Sequence, residues 1–145
     1  MLGRKKARKS TRIDTVIGKT TTIRGDVDFA GTLHIEGTVI GNVRAESDPE
    51  ATLILDEDSM IQGDISVANI LVNGSVEGDV FSTKHAELLP HAQIKGNVYY
   101  NLIEMSVGSA VNGSLVHREE ERGQIEYLDS AMSSSKNNGK KAENG

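Results

Sequence analysis

Six times between residues 23 and 115 the chain repeats one pattern: an apolar residue, a variable one, glycine, a small polar residue, then Val, Ile or Leu. The copies are Ile23-Arg24-Gly25-Asp26-Val27, Val39-Ile40-Gly41-Asn42-Val43, Ile61-Gln62-Gly63-Asp64-Ile65, Val76-Glu77-Gly78-Asp79-Val80, Ile94-Lys95-Gly96-Asn97-Val98 and Val111-Asn112-Gly113-Ser114-Leu115. Their glycines stand 16, 22, 15, 18 and 17 residues apart. A longer match supports the period, because Leu33 to Val43 realigns 37 residues later on Ile70 to Val80. Two turns of about 18 residues account for that offset. Apolar residues fall at every second position around each glycine, which is strand periodicity with one face buried. No helical spacing is sustained in this region.

A repeat of 15–22 residues is too short for a propeller blade or a helical hairpin. It suits one coil of a parallel β-helix, made of two or three short strands and stacked on the next coil. Six coils rising about 4.8 Å each predict a rod roughly 29 Å long. Recurrent glycine marks a corner, or a place where backbone closely approaches backbone. With 3% aromatic residues, the interior must be ladders of Val, Ile and Leu, and Phe29 is its largest expected occupant. The widest interval holds Ser47-Asp48-Pro49-Glu50, an insertion that a solenoid can extrude as a loop. Gly25, Gly31 and Gly37 keep the six-residue rhythm of a left-handed β-helix. The rhythm breaks at Gly41, so the looser, right-handed form is expected.

Composition divides the chain into three. Residues 1–13 form a basic arm in which Arg4, Lys5, Lys6, Arg8, Lys9 and Arg12 have no acidic residue among them up to position 12. Residues 14–116 are the repeat domain. Residues 117–145 are charged and polar, with little to bury, and are expected to be largely disordered, although residues 124–128 could cap the domain. The arm leads into polar residues, so it is not a secretory signal. No run of 18 apolar residues exists to span a membrane as a helix. A cytoplasmic location is expected, and the absence of cysteine excludes disulfides and thiolate metal sites.

The two ends of such a coil carry the functional expectation. A terminal coil has unpaired backbone N–H and C=O groups above an open apolar interior, and natural solenoids block this with a cap. No amphipathic capping helix is evident here. Stacking between molecules would satisfy both needs. The contacts are expected at Ile23, Val27 and Phe29 on the N-terminal end, and at Val107, Val111 and Leu115 on the C-terminal end.

The runs Ile23 to Val27 and Leu33 to Val43, with the number and spacing of the Gly-Asp-Val-like units and the flanking tails, resemble the bactofilins. The resemblance covers about residues 14–116. It implies a right-handed β-helix that polymerises end to end into filaments without nucleotide. It also implies association with the inner face of the cytoplasmic membrane and placement of cell-wall-modifying enzymes, with effects on cell shape. Some members depend on a phenylalanine near the C-terminal end of the helix. This chain has none beyond Phe81, so that residue is not carried over.

Enzyme chemistry finds little support. There is no Gly-x-x-x-x-Gly-Lys-Ser/Thr loop to cradle a nucleotide. His34, His85, His91 and His117 are scattered, with no second histidine or carboxylate at ligand spacing on one element, and are read as surface histidines. No catalytic residue, cofactor or metal is expected. The alternative is a left-handed hexapeptide-repeat acyltransferase-like trimer, for which His34 or His91 would serve at a subunit interface. Asp26, Asp64 and Asp79 follow glycine but lack the nonapeptide of calcium-binding solenoids, so they are expected to accept corner hydrogen bonds or to face solvent. From the residues the arm reads either as a plain solvated tail or as a membrane contact, with Met1 and Leu2 inserting while Arg4, Lys5, Lys6, Arg8 and Lys9 meet anionic lipid at roughly 1 kcal/mol each; the family resemblance favours the membrane contact. Neither stacking aromatics nor a basic patch in the domain supports nucleic acid.

Overall fold

The computed structural model describes residues 12–119. Those residues form sixteen parallel strands and no helix, wound into a β-solenoid of about six turns. Each coil has three faces. The first face stacks β1 (Thr15–Ile17), β4 (Thr32–Ile35), β7 (Thr52–Leu55), the end of β9 (Ile65–Val72), the end of β11 (Val80–Leu88) and β14 (Leu102–Met105). The second stacks β2 (Thr22–Arg24), β5 (Thr38–Ile40), β8 (Met60–Gln62), β10 (Ser75–Glu77), β12 (Gln93–Lys95) and β15 (Ala110–Asn112). The third stacks β3 (Val27–Asp28), β6 (Val43–Arg44), the start of β9, the start of β11, β13 (Val98–Tyr100) and β16 (Leu115–His117). β9 and β11 therefore each run round a corner from one coil into the next.

Register turns the alternating pattern into columns. Ile23, Val39, Ile61, Val76, Ile94 and Val111 pair in succession along the second face. Val27, Val43, Ile65, Val80, Val98 and Leu115 do so along the third. On the first face Leu33 pairs with Leu53, which pairs with Ile70, so the 37-residue sequence match joins residues of one column two coils apart. Leu33, Ile35, Leu53, Leu55, Ile61, Ile65, Leu88 and Ile94 are fully buried, each a side chain whose burial is worth about 1.5–3 kcal/mol. Phe29 packs against this core but is only half-buried, and Tyr100, a larger ring than Phe29, does the same near the other end. Phe29 is therefore not the largest side chain against the interior.

The corner between the second and third faces carries the recurrent glycines. A Cβ on Gly41 would run into the carbonyl oxygen of Gly25, and the same overlap repeats from Gly63 to Gly41, Gly78 to Gly63, Gly96 to Gly78 and Gly113 to Gly96. The glycines thus leave room along the stack for the preceding coil's backbone. The following residue ties the same corner. Asp26 Oδ1 accepts the Asn42 N–H at 2.8 Å, Asn42 Oδ1 the Asp64 N–H at 2.8 Å, and Asp64 Oδ1 the Asp79 N–H at 2.9 Å. Asp79 Oδ1 accepts from Asn97 at 2.9 Å and Asn97 Oδ1 from Ser114 at 3.0 Å. The acidic residues after glycine are corner acceptors, as the sequence leads one to expect.

The corner between the first and second faces absorbs the uneven repeat. Four-residue turns span 18–21, 56–59, 89–92 and 106–109, each closed by a backbone bond such as Ser59 N–H to the Asp56 carbonyl at 3.0 Å. Two-residue turns at 36–37 and 73–74 tuck against the longer turn beneath. A Cβ on Gly37 would strike the carbonyls of Gly18 and Thr21, and one on Gly74 the Asp56 carbonyl and the Ser59 hydroxyl. Short turns give the intervals of 16 and 15 residues, long turns those of 18 and 17. The 22-residue interval has a long turn and also residues 45–51, which lie at the corner between the third and first faces. That insertion is folded back onto the stack rather than extruded. Asp48 Oδ2 accepts the Gly31 N–H at 2.8 Å and Oδ1 the Glu50 N–H at 2.9 Å. These bonds, Gly31 first, hold its carboxyl below the usual range.

Replacing Gly78 with alanine sets a methyl against the Gly63 carbonyl in the middle of the stack. Unfolding by urea, followed by circular dichroism, is expected to show a loss of about 1–3 kcal/mol, the range for overpacked positions. Gly18 has nothing within 4 Å of its would-be Cβ, and Gly18→Ala is expected to stay within about 0.5 kcal/mol of the parent.

Candidate functional site: the open ends of the solenoid

Among the described residues, each end of the stack presents a strand from every face with one side unpaired. At the N-terminal end these are β1, β2 and β3, and at the C-terminal end β14, β15 and β16. Successive N–H and C=O groups on such an edge have no partner coil, which makes the edge a template for another chain. Nothing among the described residues caps either end with a helix.

The N-terminal end is the better closed. Ile23 and Val27 head the columns of the second and third faces, and Phe29 lies beside Val27; all three are half-buried and packed on the core. Ile17, at the head of the first face, is 7% exposed. On the rim, Arg44 reaches Asp26 at 3.4 Å and Asp28 at 3.6 Å. The Asp26 carboxyl is held below the ordinary range, chiefly because it accepts the Asn42 N–H, against residual desolvation and with help from Arg44.

The C-terminal end is more open. Val111 and Leu115 stand at the last place of their columns, in register with Ile94 and Val98. Leu115 is 44% exposed. The first-face column ends in Ile103 and Met105, paired with Ala86 and Leu88, and Met105 is also 44% exposed. Val107 differs from its expected place: it lies in the 106–109 turn, off the columns, and is 95% exposed. Met105 holds the column position instead. Continuing the Leu55, Val72, Leu88 column by one coil identifies it.

Side surfaces hold the remaining candidates. Phe81 is not at an end: it stacks on Tyr99 with ring centroids 4.6 Å apart on the outside of the third face, and Arg118 lies 6.0 Å over Tyr99. All four histidines fall among the described residues, and three have carboxylate neighbours on adjoining or nearby coils. His85 lies 3.6 Å from Glu104, His91 3.4 Å from Glu57, and His34 3.8 Å from Asp56 and 4.0 Å from Glu36. The expectation of isolated surface histidines fails for His34, whose side chain is only 20% exposed. Asp56 arrives from the next coil and is invisible to sequence spacing, whereas Glu36, two residues after His34, lies on the same alternating face and is legible there. The expected membrane contacts Met1, Leu2, Arg4, Lys5, Lys6, Arg8 and Lys9 lie outside the described residues.

Fold and ends together define a β-solenoid without a helical cap among the described residues, a class whose edges and open core invite stacking. The bactofilin family model, described as polymer-forming cytoskeletal, matches residues 15–116. Bactofilin BacO of Myxococcus xanthus (strain DK1622) is 24% identical over 108 residues, covering 74% of this chain and 82% of that protein. No solved structure matches the chain. The chain belongs to the bactofilin family, whose members are structural, polymer-forming cytoskeletal proteins.

Because the folded pKa of Asp26 lies below its unfolded value, its stabilising effect is fully present above about pH 4. That effect is lost as pH falls through the folded pKa. Asp26→Asn keeps an oxygen for the Asn42 N–H and removes the charge. Melting midpoints measured from about pH 2 to 6 are expected to fall less steeply in this variant than in the parent.

Proposed function

We propose that this protein is a non-enzymatic cytoskeletal scaffold that assembles end to end into filaments without nucleotide. The observation that carries this reading is the bare C-terminal coil, where Met105 and Leu115 continue buried columns yet remain 44% exposed. Another coil stacked there extends the columns and pairs the free edges of β14, β15 and β16. The half-buried Ile23, Val27 and Phe29 offer apolar surface at the other end. The polymer-forming description of the family points the same way.

The basic arm extends the proposal to the inner face of the cytoplasmic membrane. Six cations within residues 1–12 lack acidic neighbours in that stretch, and attraction to anionic lipid is worth roughly 1 kcal/mol per cation near the surface. One such anchor is weak, but a filament presents many copies at once. Placement of cell-wall-modifying enzymes follows from what the family resemblance implies. Family membership also favours this scaffold over the acyltransferase-like trimer.

Leu115→Arg tests the end contact. The variant should keep the β-sheet signal of the parent in circular dichroism, yet sediment as monomers or small oligomers where the parent forms filaments visible by electron microscopy. Filaments of the parent should form equally with and without ATP or GTP. Long filaments of a normally folded Leu115→Arg protein would show that this end is not a polymer contact.

The arm is tested with liposomes. Full-length protein should co-sediment with vesicles containing anionic lipid, and less of it as salt shortens the Debye length from about 8 Å at physiological ionic strength. Deleting residues 2–9 should release the protein from vesicles and leave assembly intact. Undiminished pelleting of the deletion variant would sink the anchor.

A further inference from the structure

His34 faces outward on β4, between Val16 and Ile54 in register on the neighbouring coils. These apolar flanks strip water from the ring, and Nε2 is buried without a hydrogen-bond partner. Such an atom carries a desolvation cost unless something satisfies it. Two carboxylates face it. Glu36 and Asp56 occupy the same place on successive coils, each directly after the register pair Ile35 and Leu55. Their oxygens stand 4.0 and 3.8 Å from Nε2, too far for a hydrogen bond and close enough to share a common centre. Like charges stacked directly across neighbouring strands are unfavourable by themselves, so the pair gains from a cation between them.

We propose that His34, Glu36 and Asp56 form a binding site for a divalent first-row transition metal of the zinc type. The three donor atoms lie within 4.8 Å of one another. Donors around tetrahedral zinc, at 2.0–2.2 Å from the metal, are about 3.4 Å apart. Side-chain shifts on the order of 1 Å therefore close the set, and both carboxylates are exposed enough to make them. The imidazole nitrogen selects against magnesium and calcium, which take oxygen ligands. Three protein ligands leave a fourth position for water. Because Asp56 belongs to the coil after His34 and Glu36, the bound ion clamps the second coil to the third on the side of the rod, one coil in from the N-terminal end.

The test uses the full-length chain dialysed against zinc chloride, with bound metal counted per protein and melting followed by circular dichroism. One equivalent of zinc is expected, with a melting midpoint that rises with zinc and is indifferent to magnesium. His34→Gln and Asp56→Asn, which keep side-chain size, should each weaken binding about tenfold or more. His91→Ala, which alters a histidine beside Glu57, should leave it unchanged. Imidazole resonances of His34, but not of His85 or His91, should shift on adding zinc. The proposal is overturned if no zinc is retained, or if retention survives both His34→Gln and Asp56→Asn. Equal loss in His91→Ala would also overturn it, since that is the mark of scattered surface binding.

Discussion

The contact between one coil and the next at the glycine corner governs the rest of the molecule. There the carbonyl of one glycine occupies the space that a Cβ of the next would fill, and an Asp or Asn oxygen holds the following backbone N–H. A shift by one residue would flip every side chain across the sheet. With the corner held in five successive steps, Val39, Ile61, Val76 and Ile94 fall on one another and are buried without a large side chain to lock them. The core is in this sense a result of the backbone stack. Aliphatic residues of similar size suffice because each meets only its equivalents above and below.

This dependence explains which parts of the structure can be read from the sequence. The glycine intervals equal the register offsets of the second face, so coil number and coil length are legible in the repeat itself. The corner role of Asp26, Asp64 and Asp79 is legible for the same reason. Other features need knowledge of who sits beside whom across coils. Met105 ends a first-face column only if the 89–92 and 106–109 turns are both assigned four residues, and without that assignment Val107 looks equally apt. His34 and Asp56 are 22 positions apart and become neighbours only through the fold of residues 45–51 at the corner between the third and first faces. Phe29 and Tyr100 both lie where the third face turns toward the first, a corner of varying length that carries no regular signal.

The two ends are unlike. At the N-terminal end the heads Ile17, Ile23 and Val27 are buried or half-buried, Thr15 above Leu33 is exposed, and an Arg44 bridge to Asp26 and Asp28 finishes the rim. At the C-terminal end two columns stop in open side chains, Met105 and Leu115, while Ile103 and Val111 are half-buried. Membership of a polymer-forming family gives this difference a meaning, since apolar surface that continues a buried column is stabilised by whatever completes the column. The end coils and the histidine cluster on the flank are separate surfaces. An ion held at His34 does not compete with stacking at Leu115.

Turn length varies at two of the three corners while strand pairing stays in step, and this separates two quantities that are usually linked. The rise of a coil is set by the distance between paired strands, about 4.8 Å, whether the coil contains 15 residues or 22. Axial length is thus counted in coils and is blind to chain length. Loops can be grown at these variable corners, widening the girth locally, without changing how far one end stands from the other. Only the gain or loss of a whole glycine-marked repeat alters that distance, which makes the rod a molecular spacer graduated in single coils.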